Sequence, residues 1–190
     1  MARDELDPTA TGGYWHAVAM LRLDRPRGLD ELERTFAAGS TPEALDGPRR
    51  GRLVATTVGR GLDGPFEFLT RVWLPWKGKT FHPADGDGHN LFTSGGDRAI
   101  ALAFPGYGGR SSDETGPIAF RFVTIVGPSV THPSVDVLRI DYRDLPENPG
   151  WPIRRILDEL VEVEDGVFLG QALIHWRGGL RRAAWFSLER

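Results

Sequence analysis

Two lysines, Lys77 and Lys79, stand two positions apart, and every other basic residue among the chain's 23 is an arginine. The distinction matters chemically. A buried lysine can give up its proton and leave an amine that serves as a base or forms an imine, whereas a guanidinium stays charged. Both lysines belong to the segment Trp76-Lys77-Gly78-Lys79-Thr80-Phe81. On a regular strand Lys77, Lys79 and Phe81 share one face, and Trp76, Gly78 and Thr80 the other. Gly78 would let backbone or ligand come close to Trp76. From the mouth of a pocket Lys79 could meet a ligand's carboxylate, or work as an amine of depressed pKa. At an exposed strand edge the same lysines would discourage aggregation instead.

Other residues offer weaker chemistry. His175 closes a mostly apolar run beside Trp176, where an imidazole could be a pocket acid–base group, a haem ligand, or a hydrogen-bonded strand-end histidine. Tyr142 follows Asp141, and a buried Asp–Tyr pair could move a proton; neighbours on a strand face opposite ways, so only one of them can line a given pocket. The stretch His82 to Asn90 begins like a calcium loop, but Asn90 stands at the position of the required Gly and Gly96 at that of the closing Glu. Asp-Gly turns between strands account for it without a metal. The glycines of Pro105 to Ser112 lack phosphate-binding spacing, and no Ser-His-Asp set can be assigned from spacing. The candidate ligand-binding set is therefore Trp76, Lys79, Phe81, Tyr142, His175 and Trp185. Lys79, His175 and Tyr142 are the candidates for catalysis, and no residue is assigned to a metal.

These residues must be positioned by a largely β-structured chain. Leu29, Leu32, Glu33 and Phe36 have helical spacing, with Gly39 as the stop. Thr41-Pro42 reads as the cap and first residue of another helix, and residues 65–72 as one more, entered through Asp63. Arg52 to Val58 reads as a strand. From Thr80 onward, short apolar runs alternate between Gly, Pro, Asp and Asn punctuation: 80–82, 90–93, 99–104, 118–126, 135–142, 161–163, 167–176 and 180–188. Such a series predicts a curled antiparallel sheet or barrel. Residues 151–160 read as a short helix interrupting it, the alternation changes phase between Val137 and Leu138 as a bulge would make it do, and 105–116 reads as a long mobile loop. Several runs are apolar on both faces, so the sheet must be covered outside. Large outward residues opposite small inward ones would leave it hollow; dense packing against a helix would produce the same pattern.

The order of segments Thr41 to Leu45, Gly47-Pro48-Arg49-Arg50-Gly51, Gly61 to Gly64 and Trp76 to Phe81 resembles the N-terminal domain of the family named for a Gly-x-Trp-x-Gly signature (GXWXG). Asp141 to Pro146, Ile153 to Glu159, Phe168-Leu169-Gly170 and Phe186 to Arg190 resemble the domain of unknown function that follows it there. Arg49 stands where the family has Trp. The family implies this two-part organisation and no settled activity. At the level of fold alone the chain is also similar to calycin-type barrels such as lipocalins, fatty-acid-binding proteins and haem-binding nitrobindins.

With 190 residues the chain suits one domain: a polar stretch 1–13, a helical part 14–81 and a mainly antiparallel β part 82–190. A net charge of −3 gives no electrostatic reason to bind nucleic acid. Without an apolar run of ~18–20 residues no membrane insertion is expected. The absence of cysteine and of a signal-peptide profile at the N-terminus points to the cytoplasm. The expectation is an α+β fold, with N-terminal helices packed on a curled antiparallel sheet or calycin-like barrel. It would bind a small hydrophobic or amphipathic ligand, lipid or polyketide-like, in the barrel interior without a cofactor, with a homodimer left open. A cofactor-free cyclase or isomerase, or haem binding through His175, are the alternatives.

Overall fold

A computed structural model of the chain describes residues 13–43, 45–57 and 75–190. Two helices, α1 (Tyr14–Leu23) and α2 (Arg25–Ala37), form a hairpin in which Asp24 caps α2 by accepting from the Arg27 amide at 3.2 Å. The apolar stripe read from the sequence is the buried one: Leu32 and Phe36 are fully buried.

The strands are β1 (Gly47–Thr56), β2 (Trp76–His82), β3 (Asp87–Phe92), β4 (Ser111–Asp113), β5 (Gly116–Pro128), β6 (Asp136–Asp141), β7 (Ile156–Glu164), β8 (Val167–Trp176) and β9 (Gly179–Glu189). They pair antiparallel in the order β3-β2-β1-β9-β8-β7-β6-β5, and β5 returns to β3. The sheet thus closes into an eight-strand barrel, with β4 added as a short flap on the first residues of β5. Closure removes the free edges of the sheet and separates an inside from an outside. Inward side chains such as Phe81, Phe122, Ile140, Leu160, Phe168 and Leu188 form one core. Outward ones, among them Ala55, Val137, Val161, Leu169 and Trp185, form a second core under α1 and α2. Two-sided burial is why so many runs read as apolar on both faces. Among the described residues no helix is long and apolar enough to cross a membrane.

Several local expectations are corrected. Residues 99–103 belong to a helix, α3 (Gly96–Ala103), with Phe104 as its C-terminal cap, and not to a strand. Ile100 and Phe104 are buried four positions apart, Leu102 is 87% exposed, and the intervening alanines favour the helix. Thr41 and Pro42 start no helix. Ser40 bridges to Glu162 and the Thr41 hydroxyl donates to the Asp136 carbonyl at 2.8 Å, which draws the segment onto the barrel. Residues 151–160 form only a 3-10 turn, Ile153–Arg155, before the chain enters β7. The phase change at Val137 and Leu138 is no bulge, because β6 pairs in unbroken register; Val137 belongs to the outer core and Leu138 packs on the inner one. Part of the 105–116 stretch is ordered as β4. Within the part 14–81, read as mainly helical with a strand from Arg52, β1 begins earlier, at Gly47, and β2 begins at Trp76. The helix expected over 65–72 lies outside the described residues.

Candidate functional site

Inside the barrel Phe81, Phe122, Leu138, Leu160, Phe168 and Leu188 belong to one apolar core. That core also borders a cavity of about 40 Å³, lined by Trp76, Phe92, Phe120, Ile153, Ile156 and Phe186 and partly open beside the exposed Leu53. Its floor is polar: Lys79, Asn90, Tyr142 and Asp158. The hollow exists because Ala172 and Ala184, paired across β8 and β9, present methyl groups inward while Trp185 beside them points out.

The local backbone explains how Trp76 and Lys79 come to share the cavity. The register of β2 against β3 shifts between Trp76 and Gly78. This bulge turns Lys77 outward, where its ammonium donates to the Thr115 carbonyl at 3.1 Å, and puts Trp76 and Lys79 on the inner face. Gly78 has φ 151°, and a Cβ there would lie 1.9 Å from the Arg49 carbonyl oxygen, so the bulge needs glycine. The sequence reading, which set Trp76 and Lys79 on opposite faces, assumed a regular strand. A second irregularity lies at Phe120, whose φ of 53° is unusual for a bulky side chain. Its amide donates to the Tyr107 hydroxyl at 2.8 Å and its carbonyl accepts from the Asn90 amide at 3.1 Å.

The polar floor is an almost complete hydrogen-bond circuit. The Lys79 ammonium uses its three N–H groups on Asn90 Oδ1 (2.9 Å), Tyr142 Oη (2.6 Å) and Asp158 Oδ2 (2.8 Å). Asn90 Nδ2 donates to Tyr142 Oη as well as to Phe120, and Trp76 Nε1 donates to Asn90 Oδ1, both at 3.1 Å. The Tyr142 hydroxyl donates to Asp158 Oδ2 at 3.2 Å. Among the described residues both hydrogen bonds on Asp158 fall on Oδ2, and none falls on Oδ1. Four aromatic rings surround the ammonium, with centroids 5.8 Å (Trp76), 5.1 Å (Phe122), 5.3 Å (Tyr142) and 5.6 Å (Phe186) away, all within reach of cation–π attraction.

Burial pushes the Lys79 amine below its ordinary pKa, while the charge and hydrogen bond of Asp158 pull it back up. Burial also pushes the Tyr142 phenol well above its ordinary value, and the Asp158 charge adds to this against the hydrogen bond from Asn90. Tyr142 is therefore a proton donor, not a phenolate. The ion pair makes the floor nearly neutral, so the site offers no spare positive charge to a ligand's carboxylate.

Of the sequence-predicted residues, Trp76, Lys79 and Tyr142 meet at this cavity. Phe81 points inward but lies below it, its ring 5.5 Å from that of Phe122. Two lie apart from this cavity, because of the facing of their strands. His175 lies on the outside of β8, around a separate surface hollow of about 530 Å³ with Arg143, Trp151 and Arg154. A haem held by His175 would thus sit outside the barrel, and the inner cavity is far too small for a macrocycle. Trp185 is fully buried on the outer face against Phe36, with the Arg182 guanidinium 4.2 Å from its ring. Asp141 faces away from Tyr142 and binds Arg143 at 3.1 Å. In the calcium-like stretch Asp87 is bound by His82 at 3.1 Å and Arg121 at 2.8 Å, and no group of three or more metal-capable side chains gathers among the described residues.

The sequence reading missed Asp158, Asn90 and Phe186. Asp158 had a usable signal: a carboxylate between Leu157 and Leu160 in a run that, taken as a strand, turns it to the same side as Ile156 and Leu160. Reading that run as a helix hid it.

No family model and no curated protein matches the chain. The solved structure of a protein from Thermomonospora curvata is similar over 92% of this chain and 98% of its own, at 16% identity and a TM-score of 0.44.

Proposed function

We propose that the chain binds a small amphipathic molecule in the cavity of its barrel interior. The ligand's polar group sits at Asp158 Oδ1 and Tyr142, and its apolar part lies along Trp76, Phe92, Ile153 and Phe186. The observation that carries this reading is a hydrogen-bonded ion pair sunk in an otherwise apolar barrel, at the floor of a cavity that reaches solvent. A buried ion pair is a poor stabiliser, because apolar residues of the same volume do as well or better. Keeping one beside a hollow suits recognition of a polar group. A cavity of about 40 Å³ has room for roughly three water molecules, so the enclosed part of the ligand is about three or four heavy atoms. A longer chain would lie at the mouth beside Leu53 and Ile156. Since Asp158 already neutralises Lys79, a hydroxyl that donates to Asp158 Oδ1, or a carbonyl that takes the Tyr142 O–H from its 3.2 Å bond to Asp158, suits the floor better than a carboxylate.

The segment Trp76 to Phe81, which resembles part of the GXWXG family, lies in the strand that carries Lys79. Native mass spectrometry of gently purified protein, followed by titration with butanol, butanone and butyrate, tests the reading. The alcohol and ketone should bind, butyrate should bind more weakly, and Ala172→Leu, which fills the hollow, should abolish binding while the circular dichroism stays native. Undiminished binding to Ala172→Leu would place the ligand elsewhere.

A further inference from the structure

We propose that Lys79 is an imine-forming lysine, which condenses with the carbonyl group of a small aldehyde or ketone entering the cavity, with Asp158 as counter-ion of the product. This rests on the ligand site described above and adds a covalent step to it.

Among the described residues Lys79 is the only cationic side chain that is fully buried. At this position the chain, which otherwise uses arginine apart from Lys77, carries the one cation that can become a nucleophile. Its Nζ stands at the floor of a hollow whose size suits a carbonyl compound of three or four heavy atoms. Two proton-handling groups touch it, Tyr142 Oη at 2.6 Å and Asp158 Oδ2 at 2.8 Å. Burial favours the neutral amine, in the direction the reaction needs.

The step balances without an oxidant or reductant. The ammonium passes a proton to Asp158, and the freed lone pair attacks the carbonyl carbon. A C–N bond forms as the C=O π pair moves to oxygen, and a proton shifted from nitrogen to that oxygen, by way of Tyr142, gives the carbinolamine. Asp158 returns its proton to the hydroxyl, the C–O bond breaks, water leaves, and the nitrogen lone pair closes the C=N bond. The site begins as ammonium and carboxylate and ends as iminium and carboxylate. The four rings and the carboxylate that stabilise the first therefore stabilise the second, with no net charge buried or exposed along the way.

Lys77 supplies an internal comparison, being an exposed lysine two residues away on the same strand. The protein is incubated with acetone, propanal or butanone, reduced with borohydride, and the secondary amine is located by peptide mass spectrometry. The expected result is about tenfold or more adduct at Lys79 than at Lys77, the gain from holding the reactants together. It should vanish from that position in Lys79→Arg and fall in Asp158→Asn. The wild-type comparison stands by itself should a variant fail to fold. An adduct at Lys77 but none at Lys79 with any of the three carbonyls overturns the proposal. Saturation-transfer NMR with butanone on the wild type and Ala172→Leu then separates the failures: binding without adduct removes only the imine, and absence of binding removes the ligand site as well.

Discussion

Replacing Asp158 by Asn removes the only carboxylate among the described residues that touches Lys79, while keeping the size and an acceptor oxygen. The ammonium is then left in a nearly closed apolar cage, as Lys79 is 2% exposed. Breaking a buried ion pair on one side costs about 3–5 kcal/mol. For a chain of this length each kcal/mol moves Tm by about 2–4 °C, so a fall of about 6–20 °C is expected. The double variant Lys79→Met/Asp158→Leu should recover most of it and lie within about 2 kcal/mol of the wild type. The remaining polar atoms keep partners there: Trp76 Nε1 still donates to Asn90 Oδ1 and Asn90 Nδ2 to Tyr142 Oη, and the Tyr142 hydroxyl, having lost Asp158, turns to Asn90 Oδ1 at 3.5 Å. The Asn variant should also depend on pH. Without Asp158 only burial acts on Lys79, holding its folded pKa below the unfolded value of 10.5. Between those two values the unfolded chain binds more protons than the folded one, so stability rises with pH. Urea midpoints at pH ~7 and ~9.5 should therefore show the deficit of Asp158→Asn shrinking in the more basic buffer. A loss below about 1 kcal/mol at neutral pH would mean that the pair is solvated and not buried as described. A double variant as unstable as the single one would locate the energy in the hydrogen-bond circuit and not in the charges.

Tyr142→Phe removes an acceptor from Lys79 and from Asn90 and should cost about 1–3 kcal/mol in urea denaturation. Gly78→Ala must move the Arg49 carbonyl or undo the bulge, so it should lower Tm and expose Lys79 to acylating reagents as readily as Lys77. At Asp87, burial opposes ionisation, but the hydrogen bonds from Arg121 and His82 outweigh it and hold the carboxyl below its ordinary pKa. Its contribution is thus present above the unfolded carboxylate pKa and lost as pH falls through the folded one, and Arg121→Met should flatten that acid limb of the stability curve. Glu159→Gln should destabilise the fold, read by the urea midpoint, while leaving butanone binding unchanged.

The sequence made the architecture legible because its periodicity is strong: alternation punctuated by turn residues over 80–188, and one amphipathic helix ending before Gly39. The site was legible in part. Trp76, Lys79 and Tyr142 could be singled out by residue type, but which way they face depends on a bulge that no composition signals. One inserted position at Lys77 reverses the phase of everything before it. The run 99–104 failed for the opposite reason. An alternation of Ala with larger apolar residues satisfies a strand pattern and a helix face equally, and the packing of Ile100 and Phe104 decides between them. His175 closes a mostly apolar run, and in a barrel covered on its outside such runs occur on both faces, so apolar neighbours do not place a residue in the interior.

Strand β7 carries two buried carboxylates side by side, and their contrast bears on function. Glu159 faces outward with no exposed surface, and both of its oxygens are used. Oε1 accepts from the Val130 amide at 2.6 Å, and Oε2 from Ser129 Oγ at 2.6 Å and Gln171 Nε2 at 2.7 Å. Gln171 in turn accepts from Arg182, which pairs with Glu33 on α2, so this network fastens the helical hairpin to the barrel. Asp158 faces inward, is nearly as deeply buried at 4% exposure, and takes both of its hydrogen bonds on one oxygen. Glu159 shows how a carboxylate on this strand is satisfied on both oxygens when its role is to join elements of the fold. Asp158, bonded on Oδ2 and lining a hollow kept open by Ala172 and Ala184, fits the ligand site proposed above instead.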